Sequence, residues 1–248
     1  MFGLDPIALI IAVGAMGLGL LASGYVKWRF NAGRGVPLRS GMSGAEIAEA
    51  ILRHERITDV RVVPNQGFLS DHYNPGSKTL ALSPDVYDGR HAAAAGVAAH
   101  EVGHALQHAR GDVSMWGRTI LVYPAHFGGM LAPVLVMVGL GLAAAQGTAQ
   151  NLGQGTLAWW LAVGGLGLFG VSTLCSLIIV VNEFNASARA KAALIDMRII
   201  RPGSEEESTV SGVLTAAGLT YVASAAVSLM WLLYYAYLIF GRRHGDGH

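Results

Sequence analysis

The sequence is poor in charged residues for its length. Of its 248 residues, 13% are charged and 52% are hydrophobic, whereas about one-quarter of the residues in an average soluble domain are charged. A disordered chain has low hydrophobicity and a high net charge, so this composition excludes disorder. It also disfavours a water-soluble globule, because too few charges are present to cover its surface. Lipid is therefore the expected solvent for much of the chain.

Cysteine and net charge are equally scarce. Cys175 is the only cysteine, which excludes an intramolecular disulfide and a zinc cluster built on thiolates. The formal net charge is +1, so the sequence gives no indication of a basic surface for nucleic acid. Nucleic acid is therefore not an expected partner.

Long apolar stretches are abundant instead. A helix needs about 20 apolar residues to cross a bilayer, and four stretches meet that requirement. They lie at approximately 6–26, 119–145, 157–181 and 219–240. A cleaved signal peptide is the alternative for the first stretch, but a signal peptide carries its basic residues before the apolar run. Here Asp5 precedes the run and Lys27 follows it, which favours a retained anchor.

Basic residues indicate the orientation of these spans. The segment 27–118 holds eleven Lys and Arg residues and the segment 182–218 holds four, while the connector 146–156 holds none. Because loops rich in Lys and Arg stay on the cytoplasmic side, both basic segments are predicted to be cytoplasmic. Arg242 and Arg243 beyond the last span are a mild violation. The expected location is the plasma membrane, with the lipid bilayer as a partner and both termini outside.

The larger cytoplasmic segment has a mixed pattern. Residues 43–56 predict an amphipathic helix that begins with a capping box formed by Ser43 and Glu46. Residues 59–64 and 78–83 predict strands, and the Ala-rich residues 91–109 predict a second helix. The predicted fold is a mainly α membrane protein of about four transmembrane helices with a small α+β cytoplasmic layer. The whole chain is expected to form one membrane-integral domain.

The second of these helices contains an H-E-x-x-H motif at His100, Glu101 and His104. Residues four apart lie one turn apart on the same helix face, so both imidazoles can reach one zinc ion. The glutamate beside the first histidine is then placed to act as general base on a zinc-activated water. A polar helix face with this spacing by chance is the alternative. The helix and its aqueous segment favour the metal site, with one Zn²⁺ per chain.

A catalytic zinc usually has three protein ligands and one open position, so a third ligand is required. His108 lies eight residues after His100, which places it roughly 80° around the helix and about 12 Å along its axis. It is therefore expected to orient another residue or to lie on the surface. Glu183 follows the third span on the same side of the membrane, where an acid invites a functional interpretation. From the residues alone, Glu183 is the better candidate, and an ordinary juxtamembrane acid remains the alternative.

Four short blocks resemble a known family, the YugP-like neutral zinc metallopeptidases of bacterial membranes. These blocks are residues 70–75 (SDHYNP), 82–87 (LSPDVY), 100–107 (HEVGHALQ) and 183–187 (EFNAS). The resemblance covers nearly the whole chain and extends distantly to gluzincins of the CAAX-protease and HtpX type. It implies a zincin-like metalloprotease layer in which Glu183 is the third zinc ligand. It further implies that strand 78–83 is an open edge that pairs with an extended peptide.

The sequence departs from the family pattern at two positions. Asp is common in the family where this chain has Asn74 and Asn185. If Asn185 orients a ligand, it can accept a hydrogen bond but brings no charge, so the resemblance implies a less basic ligand and weaker zinc binding.

A hydrolytic site also needs a donor for the oxyanion that forms when water attacks a carbonyl. The sequence leaves several candidates open, and a packing or surface role is the alternative for each of them. The candidates are His72, Tyr73, Tyr87, Tyr123, His126 and Arg189.

These patterns together predict a zinc metalloendopeptidase of the gluzincin type that hydrolyses peptide or protein substrates, membrane proteins among them. The substrate, its cleavage specificity and the oligomeric state are left open. The first alternative is a non-catalytic scaffold or chaperone-like partner that retains a structural zinc site with four ligands. The second alternative is a transporter, which the near absence of ionisable residues from the spans, His126 excepted, disfavours.

Overall fold

The computed structural model describes residues 5–148 and 152–241, and most of them are helical. The helices in chain order are α1 (Pro6–Arg34), α2 (Gly44–His54), α3 (Pro84–Tyr87), α4 (Ala92–Ala109), α5 (Val113–Ala145), α6 (Leu157–Asp196) and α7 (Glu205–Phe240). The strands are β1 (Arg61–Pro64), β2 (His72–Asn74) and β3 (Thr79–Leu82). The predicted mainly α fold with a small α+β part is confirmed.

Four of the described helices are long and apolar enough to cross a membrane. They are α1, the stretch His126–Ala145 of α5, α6 and α7. Helices α1, α6 and α7 contain the predicted spans 6–26, 157–181 and 219–240, and His126–Ala145 matches the later part of the predicted span 119–145. The apolar side chains of α1 are strongly exposed, with Ile10 at 70%, Leu20 at 68% and Leu21 at 73%. Water disfavours an apolar surface of this size, so these side chains suit contact with lipid. Arg242 and Arg243 lie outside the described residues.

The chain divides into two compact units. The helical unit comprises the described residues of Met1–Gly19, Gly117–Ile179 and Val222–His248. The mixed unit comprises Leu20–Trp116 and Val180–Tyr221. The prediction of one membrane-integral domain for the whole chain stays a prediction. All the residues of the candidate site described below belong to the mixed unit.

The helical unit has a core of its own. Ala132 and Val136 of α5 are fully buried, as are Ala158 and Ala162 of α6. Phe169 and Tyr235 add an edge-to-face ring pair with centroids 5.6 Å apart. Small side chains let these helices approach closely, which is the usual way that helices pack in a membrane.

The mixed unit is built around helix α4. Apolar residues of α2 and β3 form one buried cluster with the alanines of α4. Helix α2 begins with the predicted capping box, because the Ser43 hydroxyl accepts the Glu46 amide and the Glu46 carboxylate accepts the Ser43 amide. This cluster fixes the orientation of the helix that carries the H-E-x-x-H motif.

The sheet corrects one prediction. Its strand order is β1-β3-β2, with β1 parallel and β2 antiparallel to β3. The predicted strand 78–83 corresponds to β3, which is therefore the central strand and not an open edge. Leu80, Ala81 and Leu82 are buried, and both hydrogen-bonding edges of β3 are paired. The prediction failed because β2 was not foreseen; its three residues are too few to show an alternating pattern.

Helix α6 extends well beyond the predicted span. The span was predicted to end near residue 181, but the helix continues without a break to Asp196. The added segment holds neither Gly nor Pro and is rich in Ala, which is typical of a stable helix. Glu183 consequently stands on a helix, and Ser187 lies on the same face one turn further on.

Candidate metal centre

The structure brings three side chains of the mixed unit to one point. On α4, the His100 and His104 rings lie one turn apart with centroids separated by 4.7 Å. From α6, Glu183 Oε2 lies 3.2 Å from His100 Nε2 and 3.5 Å from His104 Nε2. One ligand atom from each residue lies within 4.8 Å of the other two. Glu183 and His104 are buried, and the His100 side chain is 12% exposed.

These atoms suit a zinc ion. Zinc bonds to nitrogen and oxygen are about 2.0–2.2 Å long, so tetrahedral ligand atoms lie about 3.3 Å apart. The two nitrogen–oxygen distances here, 3.2 and 3.5 Å, match that spacing. Two neutral imidazoles and one carboxylate also supply the donor types that zinc accepts. The residues present therefore fit the metal that the motif predicts.

Each histidine is held through its second nitrogen. His104 Nδ1 lies 3.0 Å from Gln107 Oε1, and His100 Nδ1 lies 3.1 Å from Ser187 Oγ. The Gln107 amide nitrogen donates to the Asn182 carbonyl at 3.1 Å and to Asn185 Oδ1 at 2.9 Å. Its oxygen must therefore face His104, whose Nδ1–H donates to it. The lone pair of His104 Nε2 is then directed toward Glu183, where a metal ion would lie.

A glycine permits the close approach of the two helices. A Cβ atom at Gly103 would lie 2.5 Å from the Ala186 carbonyl oxygen, nearer than a carbon atom tolerates. Any larger side chain would push α4 away from α6. Gly103 is therefore required at this position of the motif, because α4, which carries the histidines, lies so close to α6, which carries Glu183.

Glu101 and Asp71 lie beside the three converging residues. Glu101 is 8% exposed and lines a cavity together with His100 and Asp71. Both Asp71 carboxylate oxygens accept the Ser83 hydroxyl, and Oδ1 also accepts the Ser83 amide. Burial raises the pKa of the Asp71 carboxyl, the Ser83 hydrogen bonds oppose that rise, and the charge of Glu101 adds to it. A carboxylate at Asp71 therefore disfavours further negative charge in the cavity.

His108 and Tyr73 form a separate pair. The Tyr73 hydroxyl lies 2.8 Å from His108 Nδ1 and links β2 to the end of α4. Burial, with a contribution from the charge of Asp59, raises the pKa of Tyr73 to about 12. Among the described residues, the group that can hold a metal consists of His100, His104 and Glu183. His108 is not part of this group, as its position around and along the helix predicted.

The remaining predicted residues occupy different places. Arg189 donates to Asn185 Oδ1 at 2.8 Å and to Asp112, so it supports the Gln107 amide indirectly. His72 is exposed on β2 and contacts the Ser70 carbonyl. Tyr87 ends α3 and packs against the core of the mixed unit. Tyr123 and His126 are exposed residues of α5 in the helical unit. The assignment of an oxyanion donor among them stays a prediction.

Two residues that hold the histidines were missed from the sequence. Gln107 and Ser187 each lie within a short block that carried the family resemblance. A signal was available for both, because Gln107 lies three residues after His104 and Ser187 lies four residues after Glu183. Those spacings place each residue on the same helix face as its neighbour in the site.

Comparison with known proteins identifies the family. A family model described as "Putative neutral zinc metallopeptidase" matches residues 8–240. The chain belongs to this family. It is also 37% identical over 235 residues to "Putative membrane protease YugP" of Bacillus subtilis (strain 168), which covers 95% of this chain and 97% of that protein. No solved structure matches the chain.

Membership of the family accounts for the coarse properties of the chain. The family description names a zinc metallopeptidase and the relative is named as a membrane protease. Both agree with the converging histidines and glutamate and with the four apolar helices. The chain is thus a membrane protein of a zinc metallopeptidase family, as the sequence predicted.

Proposed function

We propose that this protein is a membrane-integral zinc metalloendopeptidase of the gluzincin type. The observation that carries the proposal is the convergence of one ligand atom each from His100, His104 and Glu183 within 4.8 Å of one another. These three residues hold one Zn²⁺ per chain. The substrates are peptides or proteins, including membrane proteins.

Bound zinc would supply Lewis acidity toward a water molecule and toward the carbonyl of the bond to be cleaved. The chain provides the proton transfer. Glu101 accepts a proton from the attacking water and later passes it to the leaving amine. Its position directly after His100 and its contact with the cavity support this role. Gln107 and Ser187 keep the two histidine rings in the orientation that binding requires.

Two observations favour an enzyme over a structural zinc site. A structural zinc is usually held by four protein ligands, whereas the metal-capable group within residues 5–148 and 152–241 has three members. A cavity of about 200 Å³ also borders His100 and Glu101, which provides space for a substrate. A closed structural site would need neither an open position nor that space.

The catalytic role is tested with Glu101→Gln. We expect this variant to retain zinc and to lose hydrolysis of a quenched-fluorescence peptide library, because the amide cannot accept the proton. Glu205→Gln, at an exposed position in the first turn of α7, is the matched control and should keep wild-type activity. Full activity of Glu101→Gln would overturn the mechanism.

The metal set is tested by elemental analysis of the purified protein. Wild type should contain one zinc per chain, and Glu183→Ala should contain far less because one of three ligands is lost. Glu205→Ala is the control for the loss of an acid. Unchanged zinc in Glu183→Ala would refute Glu183 as a ligand.

The cytoplasmic position of the site is part of the proposal and rests on the distribution of basic residues. In a Cys175→Ser background, we would introduce Ser77→Cys in the turn after β2 or Gln146→Cys in the connector after α5. A membrane-impermeant maleimide should label Gln146→Cys in intact cells and Ser77→Cys in inverted vesicles. The opposite pattern would place the site on the outer side.

A further inference from the structure

The cavity beside Glu101 has walls that the proposed mechanism does not use. Its volume is about 200 Å³, and the mixed unit supplies every lining residue. The apolar wall residues come from α1, the loop before β2, α4 and α7. They are Val26, Phe30, Leu69, Val97, Val213, Leu214 and Ala217.

The size of the cavity matches a large side chain. A cavity of about 150 Å³ lined by apolar residues is able to hold a benzene ring. The cavity here is larger and has an aromatic wall at Phe30. Ala217 leaves space on the α7 side, where a longer side chain would enter the cavity. A phenylalanine or leucine side chain therefore fits its volume.

The polar residues of the cavity restrict its ligand further. Its lining contains no Lys or Arg, and its acids are Glu101 and Asp71. An acidic side chain would meet these two carboxylates with no Lys or Arg side chain in the lining to pair with it. Asp71 is already engaged, because the amide and the hydroxyl of Ser83 both donate to its carboxylate. A basic side chain would have to lose its water among apolar walls and compete with Ser83 for Asp71.

We infer that this cavity is the specificity pocket of the site and binds a large apolar side chain of the substrate next to the bond that is cleaved. The inference rests on the proposed function, because the cavity is a substrate pocket only if His100 and Glu101 at its wall belong to the active site. Burial of such a side chain would remove apolar surface from water and hold the peptide against Glu101. Acidic and basic side chains are excluded.

The first experiment measures binding without hydrolysis. N-acetylphenylalanine amide, N-acetyllysine amide and N-acetylaspartate amide are titrated against the full-length protein in nanodiscs, with ligand-observed NMR as the readout. Ala217→Leu and Ala217→Trp fill the cavity by increasing amounts. Leu219→Trp is the control, because Leu219 is an exposed residue of the same helix outside the lining. This control also corrects for partition of the probes into lipid.

We expect the phenylalanine amide alone to bind measurably. Its affinity should fall about tenfold or more in Ala217→Trp, since changes of pocket volume typically alter affinity by that much, and by less in Ala217→Leu. Leu219→Trp should bind it like wild type. Circular dichroism shows whether each variant is folded. If Ala217→Trp fails to fold, the smaller substitution Ala217→Leu still tests the inference. Equal binding of all three amides, or unchanged binding in both Ala217 variants, would overturn the inference.

The second experiment maps cleavage and separates the two proposals. Mass spectrometry of a digested peptide library should show a large apolar residue at one fixed position relative to the cleaved bond, and Ala217→Leu should shift that preference to smaller residues. Hydrolysis with no preference, and no shift in Ala217→Leu, would refute the pocket and leave the peptidase intact. Binding of the phenylalanine amide with no hydrolysis in wild type would refute the peptidase, and the cavity would stand only as a site for apolar groups.

Discussion

Gln107 Oε1 lies 3.0 Å from His104 Nδ1 at a position where both residues are buried. The amide nitrogen of Gln107 is committed to two acceptors on α6, so the glutamine cannot turn its oxygen away from the histidine. This contact ties the orientation of one proposed ligand to the helix that carries another. Helices α4 and α6 are therefore linked by a hydrogen-bonded amide as well as by the metal that would lie between them.

We expect Gln107→Leu to weaken zinc binding by about 10- to 100-fold, the usual effect when the partner that orients a histidine ligand is removed. Leucine fills a similar volume but offers no acceptor to His104 Nδ1. Competition with a chromophoric chelator would measure the zinc affinity. Gln66→Leu, an exposed loop position, is the control. Equal affinity in Gln107→Leu and wild type would contradict this role.

Asn185→Asp should strengthen zinc binding, by about tenfold or less. A carboxylate at this position would accept hydrogen bonds from Gln107 and Arg189, and hydrogen bonds to charged acceptors are roughly twice as strong as neutral ones. The added negative charge would also favour a nearby cation. Asn74→Asp is the matched control, because Asn74 accepts the Gly76 and Ser77 amides in an exposed turn. Weaker binding in Asn185→Asp would show that the amide is the better partner here.

Gly103→Ala should reduce both stability and zinc content. The new methyl group would lie 2.5 Å from the Ala186 oxygen, so α4 must move away from α6 and His104 away from Glu183. Gly96→Ala on the same helix is the control. Its methyl group would meet Val210 at 3.5 Å, an ordinary contact, and the loss of a helical glycine stabilises by roughly 0.5–1 kcal/mol. Thermal unfolding and elemental analysis of both variants test the difference, and a fully loaded Gly103→Ala would refute it.

His91 should make the stability of the mixed unit depend on pH. Its Nδ1 accepts the Ala94 amide at the start of α4, which requires the neutral ring. Burial lowers the pKa of His91 below 6.5, the nearby Arg34 lowers it further, and Asp85 opposes the shift. The cap therefore contributes its full stability above pH 6.5. That contribution is lost as the pH falls through the lower pKa of the folded state.

Melting temperatures at about pH 7.5 and about pH 5.5 test this dependence. His91→Asn keeps a capping side chain that does not titrate, so it should lose less stability on acidification than wild type. His91→Ala should be destabilised by about 1 kcal/mol at the higher pH. His54→Asn, an exposed histidine at the end of α2, should behave like wild type. Equal acid sensitivity of wild type and His91→Asn would count against the cap.

The sequence by itself determined the long apolar helices, the first amphipathic helix and the two histidines. Apolar runs of about 20 residues leave no alternative to helices in lipid, and a spacing of four residues places His100 and His104 on one helix face. The capping box at Ser43 and the helix that follows it were also predicted correctly, because both depend on residues close together in the sequence. Each of these features is local.

The tertiary structure alone decided what depends on distant segments. Glu183 lies 83 residues from His100. From the residues alone it was the better candidate for the third ligand, but an ordinary juxtamembrane acid remained the alternative, and the family resemblance then favoured the ligand. The roles of Gln107, Ser187 and Gly103 required the packing of α4 against α6. The central position of β3 followed from β2, which is too short to be recognised. The cavity arises where four segments meet, and contacts between remote segments have no local signature in the chain.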